Sequence, residues 1–468
     1  MEFNSVEFFV FFLFFAVLFN ARQLVAYKQI ILFGANVCFI ATFSESVLSF
    51  LPLFGFVTFG YMLILYARLG RSELFYLLVS FFVIVFIYIK KYSLLSFIPS
   101  IPFPYVLVGL SYILFKILHL LIDIHGGYLR GKISFLEYFN YLFFFPCFVS
   151  GPIQRYQDFS EQIHRDSHQD YSSDEVVSIF SRITSGFFKF LVFAAIFSQL
   201  YKSLLINTSF GGGSVSLAGR FAVIFIAHGL YIYFNFSGFI DIVIGLGRLL
   251  GIHLPENFNK PHLSENFLDF WSRWHITMSE WFKFYIFNPL LKVLYTRVSP
   301  GFASFICYVI TFLFMGIWHG TTLIFFLYGL VMGFGAGVNK LYQSGVKHWI
   351  GKKGYNRLKS YSSYRLICRA MTAAYFSMSI ICFISLNNES FGQIVLFFES
   401  VNLLLSYVVT TVLIVPLLMM IDMVSKVRNF TDFHFFRSDF WLAFKIIILF
   451  NAVIWLGSGP REIVYKVF

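Results

Sequence analysis

Two Trp-His pairs carry the residue types for proton chemistry in a chain of which only 12% is charged. Trp318-His319 ends the apolar run Tyr308 to Trp318 and is followed by Gly320-Thr321-Thr322 and a second apolar run. Trp274-His275 lies in the polar, aromatic stretch Phe270-Trp271-Ser272-Arg273-Trp274-His275-Ile276-Thr277. An ionisable side chain at membrane depth costs ~2.5 kcal/mol or more, so it generally lines a cavity or takes part in a function. Histidine, with an ordinary pKa near ~6.5, suits a general base at neutral pH. Two such histidines point to a site where a proton is moved inside a membrane protein.

The rival constellation is His119-Leu-Leu-Ile-Asp123-Ile-His125. His119 and Asp123 are four apart, share a helix face and can form a charge-assisted pair. A structural pair, or a lining role beside the site, is the simpler reading. No G-x-S-x-G elbow, H-E-x-x-H or Walker A motif occurs, which argues against a serine hydrolase, a zinc protease or an ATPase. The five cysteines show no zinc or disulfide spacing, so no metal is expected and they read as small apolar packing residues.

The elements that must position these groups are membrane helices. Of 468 residues, 58% are hydrophobic and 12% charged, about half the ~25% charged of a soluble domain. The expected fold class is an all-α polytopic membrane protein. Candidate spans are Val6–Leu18, Ile30–Phe43, Val47–Tyr66, Leu74–Ile89, Tyr105–Ile122 and Phe135–Val149. They continue with Val176–Leu205, Phe221–Leu250, Phe302–Ile317, Leu323–Val338, Met371–Ile384, Leu403–Ile421 and Trp441–Leu456. Short and kinked candidates leave about 10–13 membrane helices. The N-terminus has no basic n-region and no small-residue cleavage site, so the first run reads as a retained helix.

The organisation expected is N-terminal spans over 1–134, a core over 135–340, a basic loop over 341–369, and C-terminal spans with a tail over 370–468. Gln154–Asp174 reads as an interfacial helix or loop. Asn339–Arg369 holds eight Lys/Arg and no acid, which places it in the cytoplasm. The net charge of +12 reflects that same rule, and nucleic acid is not an expected partner. Gly211-Gly212-Gly213-Ser214 is a loop tip rather than a phosphate cradle, since no Gly-Lys-Ser/Thr follows.

His253–Leu291 is too polar for a lipid-facing span and too aromatic for a solvated loop. Such mixtures fit re-entrant or interfacial backbone lining a wet cavity. Ser264-Glu265-Asn266 is expected to start one helix carrying Asp269, Arg273 and Glu280, on which Trp271 and His275 share a face. Upstream, Asn235, Ser237 and Asp241 are polar groups in an apolar stretch. Helix–helix hydrogen bonding is the plain reading; a direct site role for Asp241 is the alternative.

The blocks Asn235-Phe-Ser-Gly-Phe-Ile-Asp241, Pro255-Glu-Asn-Phe-Asn259, Phe270-Trp-Ser-Arg-Trp-His-Ile276 and Gly316-Ile-Trp-His-Gly320 resemble the MBOAT family of membrane-bound O-acyltransferases. The similarity is to the bacterial branch that contains alginate O-acetylase and the teichoic-acid D-alanylation membrane protein. Phe145-Pro-Cys-Phe-Val-Ser-Gly-Pro-Ile-Gln-Arg155-Tyr156 is similar to that branch's Pro-x-x-x-x-Gly-Pro-Ile-x-Arg-Tyr segment. The blocks fall in the family's order over about residues 145–340. Ser272 stands where the family often has a second arginine, and Lys283-Phe284-Tyr285 where the branch often reads Arg-Asp-Tyr. The tail Ile463–Phe468 loosely resembles an aromatic C-terminal tail of the branch.

The resemblance implies a ring of helices with re-entrant segments around a central tunnel that joins the membrane faces. It implies that His319 is the catalytic histidine and His275 the second functional one. The donor would be a cytoplasmic thioester, acetyl-CoA or an acyl-carrier-protein phosphopantetheine thioester, with no permanently bound cofactor. The acceptor would be a hydroxyl of an exported or cell-surface polysaccharide, directly or through a secreted or periplasmic acyltransferase partner, at a bacterial inner membrane. Acetyl transfer is the first expectation and D-alanyl transfer to a cell-envelope polymer the second. A thioester is already activated, so the chemistry needs a base and an oxyanion donor. Trp274, Asn257, Arg273 or His275 could be that donor; Trp318, Trp271, Asn235, Ser237, Asp241 and Arg155 would support or line the site. A proton-coupled transporter would use intramembrane His and Asp equally well. It predicts inverted repeats, and none is visible.

Overall fold

A computed structural model describes residues 5–70, 74–165, 171–206, 214–384, 402–430 and 439–456. Gly211–Gly213 and the tail Ile463–Phe468 lie outside them. The described residues are helical and contain no strand, only an isolated antiparallel bridge between Phe258 and Trp274. Eight helices among them are long and apolar enough to cross a membrane, and two shorter apolar ones accompany them. The chain divides into two compact units, one built on Met1–Ile183 with Ile240–Pro255, the other on Thr184–Phe239 with Glu256–Val464.

The first unit contains α1 (Val6–Asn20), α2 (Lys28–Ala41), α3 (Leu51–Ala67), α4 (Phe75–Ile89), α5 (Leu110–His125), α6 (Phe135–Phe143) and α7 (Tyr156–Ile163). Phenylalanine supplies much of its core. Phe11, Phe12 and Phe39 surround Phe145 with ring centroids 5.5–6.2 Å apart. The run Phe135–Val149, expected as a span, is not one. Its helix stops at Phe143, and the chain from Phe144 to Gln154 is buried but irregular. Pro146 and Gly151-Pro152 interrupt helix propagation there.

Buried irregular backbone must find partners for its polar groups, and one face of α5 supplies them. Lys116 Nζ donates to the Tyr141 and Leu142 carbonyls at 2.8 and 3.3 Å, at the open end of α6. Tyr112 hydroxyl meets Ser150 Oγ at 3.0 Å. His119 Nε2 accepts from the Tyr156 N–H at 3.2 Å, at the start of α7. Its proton therefore sits on Nδ1, 3.4 Å from Asp123 Oδ2, which also accepts from Gln157 Nε2. Gly109 has φ +77°, and a Cβ there would lie 2.6 Å from the Phe148 carbonyl. The His119–Asp123 pair is thus a brace for the Phe145–Tyr156 segment. His119→Phe is expected to leave the Tyr156 N–H and the Asp123 carboxylate without this partner and to destabilise the protein by about 1–3 kcal/mol. A fall in thermal midpoint, with faster proteolysis around residues 154–165, checks it.

The second unit takes α8 (Ser173–Phe187) from Thr184 onward, through a π-type turn at Phe188–Phe193 into α9 (Ala194–Ile206), and α10 (Ser214–Leu249) as far as Phe239. Next come α11 (Phe267–Trp271), α12 (Ile276–Phe282), α13 (Asn288–Leu294), α14 (Pro300–His319), α15 (Leu323–Ser360), α16 (Ser362–Ser379), α17 (Leu403–Phe430) and α18 (Asp439–Leu456). α14 and α15 form an antiparallel pair whose backbones touch through glycine: a Cβ on Gly316 would lie 2.3 Å from the Phe325 carbonyl and 2.8 Å from Gly329. Small residues permit such approach between membrane helices. α16 packs on α17 through Ala370, Ala374, Ile414 and Leu418. The basic stretch 339–369 is helical rather than a loop: α15 runs on to Ser360, broken at Gly351 (φ +71°), and α16 begins at Ser362. Lysine and arginine are good helix formers, and a charged sequence continues a helix beyond the membrane as readily as it ends one.

Candidate active site

His275 does not lie on a continuous helix. The stretch expected as one helix is two short ones, α11 capped by the Asn266 side chain and α12, with His275 between them at φ +44°, ψ +52°. That left-handed conformation is uncommon for a residue with a side chain and persists only where the surroundings hold it. The i, i+4 relation between Trp271 and His275 is therefore lost. The restraint comes from Pro255–Asn259. Asn257 carbonyl accepts from Ile276 N–H at 3.0 Å, and Asn257 Oδ1 accepts from the Thr277 N–H at 3.0 Å and hydroxyl at 2.7 Å. Asn259 N–H donates to the Arg273 carbonyl at 2.9 Å. Asn257 so caps the open amide end of α12 from outside the helix. Its Oδ1 is committed as acceptor, which orients Nδ2 away as donor. Nδ2 is buried and has no hydrogen-bond partner among the described residues.

The other expected donors separate at this point. Arg273 Nε donates to Asp269 Oδ1 at 3.0 Å and Nη1 to the Asn259 carbonyl at 3.4 Å, so its guanidinium braces the turn. Trp274 is enclosed by Phe258, Phe270 and Phe376 at 4.6–5.5 Å. His275 is fully buried, and the Phe236 ring lies 4.8 Å from it at 63°. Burial pushes the His275 imidazole down to about 3, which favours its neutral form near pH 7. Phe236, the residue between Asn235 and Ser237, touches the histidine; Thr277 and Phe236 carry no sequence signal because a threonine after His-Ile and a phenylalanine in an apolar run do not stand out. Asn235 and Ser237 are buried on α10.

His319 is the last residue of α14 and 1% exposed. Trp318, Tyr328 and Phe383 enclose its ring at 4.9–5.6 Å. Gly320 leaves room for the Phe325 ring, which a Cβ would meet at 1.9 Å. Tyr328 and Phe383 carry no sequence signal, because they reach His319 only through the α14–α15 turn and the turn Ile380–Phe383 that follows α16. In the first unit, Asp241 is held by Arg182, with Nε and Nη2 at 3.1 and 3.0 Å from Oδ1, and Arg155 stands exposed at the start of α7. The ion pair gives Asp241 a structural partner on a neighbouring helix.

A cavity of about 250 Å³ lies between α11–α12 and α14, beside the two Trp-His pairs, whose four residues are not among its lining. Trp271 packs on Phe312 of α14 at 4.8 Å. The walls come from α11–α12 on one side, including Trp271 and Ile276, and from Thr311 and Met315 of α14 on the other. Met315 and Thr311 lie one and two turns before His319 on its helix face, about 6 and 12 Å along the axis. Trp271 Nε1 and Thr311 Oγ1 are buried and have no hydrogen-bond partner among the described residues. The exposed side chains Glu280 and Lys283 line the cavity's outer part. An apolar slot with two unmatched donors suits a ligand that is thin, mostly apolar and studded with acceptors.

Residues 74–383 match the MBOAT, membrane-bound O-acyltransferase family. Among curated proteins, the chain is 30% identical over 232 residues to "Teichoic acid D-alanyltransferase" of Bacillus subtilis, covering 48% of this chain and 56% of the relative. It is 28% identical over 249 residues to the protein of that name from Streptococcus thermophilus, covering 53% and 58%. It is 27% identical over 222 residues to "Probable alginate O-acetylase AlgI" of Azotobacter vinelandii, covering 47% and 42%. The chain spans about half the length of these relatives. The all-helical multi-pass architecture, the two enclosed histidines and the match over residues 74–383 agree: the chain belongs to the membrane-bound O-acyltransferase family.

Proposed function

We propose that this protein is an O-acyltransferase of a bacterial inner membrane that moves an acetyl group from a cytoplasmic thioester to a hydroxyl of an exported or cell-surface polysaccharide. The observation that carries the reading is the cavity between α11–α12 and α14, lined by neighbours of both Trp-His pairs and holding two buried donors with no hydrogen-bond partner among the described residues. A pantetheine arm is thin and carries amide carbonyls; Trp271 Nε1 and Thr311 Oγ1 would hydrogen-bond them. His319 would take the proton of the acceptor hydroxyl as its oxygen attacks the thioester carbonyl. The C–S bond then breaks as the tetrahedral adduct collapses, and His319 returns the proton to the sulfur, which leaves as the thiol. Asn257 Nδ2 and the neutral His275 are the donors offered to the oxyanion, because Arg273 is committed to Asp269 and Asn259.

D-alanyl transfer from a carrier-protein thioester is the second reading, and relatives named teichoic acid D-alanyltransferase support it. Both donors end in the same pantetheine thioester, so the cavity serves either. Reconstituted protein offered labelled acetyl-CoA or D-alanyl carrier protein, with polysaccharide acceptors, tests the choice. Ester formed from acetyl-CoA supports the first reading; ester formed only from the carrier replaces it by the second. Solute flux without any ester product would sink both in favour of transport. Within either reading, Met315→Trp is expected to fill the slot and raise the donor KM at least about tenfold, as occlusion of a snug pocket costs more than ~1.4 kcal/mol. Donor-dependence curves at saturating acceptor measure it.

A further inference from the structure

A second cavity in the same unit, of about 360 Å³, is walled by α10, α16 and α17. Its body is apolar, with Leu230, Phe234, Phe376 and Leu418 among the lining residues. Its polar lining includes His262, Ser264 and Arg369. Ser264 is 2% exposed, and its hydroxyl has no hydrogen-bond partner among the described residues. A buried hydroxyl left unmatched costs about 1–3 kcal/mol, which a ligand atom would recover. Arg369 donates from Nε to the His262 carbonyl at 3.1 Å and from Nη1 and Nη2 to the Asp422 carboxylate at 2.7 and 3.0 Å. A guanidinium has five N–H groups, so two remain beyond these bonds.

The three walls decide what can enter. α10, α16 and α17 are all long and apolar enough to cross a membrane, so the medium beside them is lipid. Arg369 closes the basic stretch 339–369, which the charge rule assigns to the cytoplasm. We propose that this cavity holds one phospholipid of the cytoplasmic leaflet, with an acyl chain between Leu230, Phe234, Phe376 and Leu418, and its ester or phosphate oxygens at Ser264 Oγ and the uncommitted N–H groups of Arg369. Asp422 neutralises Arg369, so recognition is by hydrogen bonding, and headgroup charge is not selected. The inner wall includes Phe270 and Trp274, so the bound chain supports the stack beside which His275 is held.

Full-length protein, delipidated in detergent and re-supplied with phosphatidylglycerol or phosphatidylethanolamine, tests this by native mass spectrometry. The expected result is one retained lipid per chain, with the two headgroups within about threefold of each other. Ala373→Trp, which fills the cavity, is expected to cut retention at least tenfold, and Ser264→Ala about threefold, with elution volume unchanged. Equal retention by wild type and both variants overturns the proposal, as does preference for a long-chain acyl thioester over phospholipid. Should Ala373→Trp fail to fold, a phospholipid with a photoreactive acyl chain decides. Labelling of α16 or α17 in wild type, reduced in Ser264→Ala, supports the site, and labelling confined to other helices overturns it. Neither result depends on acyl transfer.

Discussion

His319→Ala is expected to lower ester formation by about 10²–10⁴-fold, the range contributed by a positioned general base. The side chain ends α14, 1% exposed, in a cage of Trp318, Tyr328 and Phe383. No carboxylate appears among these ring neighbours that could take over the proton. The cage also makes the substitution informative, since three elements (α14 through Trp318, α15 through Tyr328 and the turn Ile380–Phe383 after α16) contact the ring and would keep their places around a small void. His319→Gln keeps the volume and hydrogen-bonding capacity and removes the basicity, so its activity should fall with that of the alanine variant. His275→Ala acts differently. Loss of a neutral imidazole that donates or positions should lower kcat less steeply and leave the acidic limb of the rate profile, which the base sets, where it was. Initial rates of labelled ester formation in proteoliposomes measure all three. A His319→Gln rate within threefold of wild type would remove His319 from the role of base.

Gly316→Leu is expected to abolish folded protein. The Cβ alone would lie 2.3 Å from the Phe325 carbonyl and 2.8 Å from Gly329 Cα and N. All of these are backbone atoms, which cannot rotate away as a side-chain tip can. Overpacking of this kind costs about 1–3 kcal/mol for one or two methylenes, and here the whole α14–α15 contact must open. Because α14 ends in His319 and only three residues separate it from the start of α15, separation of the pair would also move the histidine. Fluorescence-detected size exclusion should show loss of the monodisperse peak, and Gly316→Ala an intermediate fall in thermal midpoint. Normal elution and an unchanged midpoint in Gly316→Leu would contradict the close helix contact.

The helices were legible because their cause is local. A run such as Leu51–Ala67 is apolar from end to end, and in lipid such a run can satisfy its backbone only as a helix. His319 stood out for the same reason, as an imidazole at the junction of two apolar runs. Illegible was everything set by contacts between distant segments. The Phe135–Val149 run has the composition of a span, yet its second half is held irregular by Lys116, Tyr112 and His119 from α5. The His275 segment has the spacing of a helix, yet Asn257, from a separate segment, caps α12 and fixes the turn before it.

The sequence by itself determined the class of protein, most of its long apolar helices and which two histidines to propose for the chemistry, because hydropathy and the cost of burying an ionisable group act residue by residue. Only the tertiary structure decided what those histidines face. It assigned Arg273 to Asp269, Asp241 to Arg182 and His119 to the backbone of Tyr156. Among the described residues it left Asn257 Nδ2, Trp271 Nε1 and Thr311 Oγ1 among the buried donors without a hydrogen-bond partner. The physical reason is that hydrogen bonds are directional and short. Which donor is consumed by the fold, and which remains for a substrate, depends on ångström distances between residues that composition and spacing do not contain.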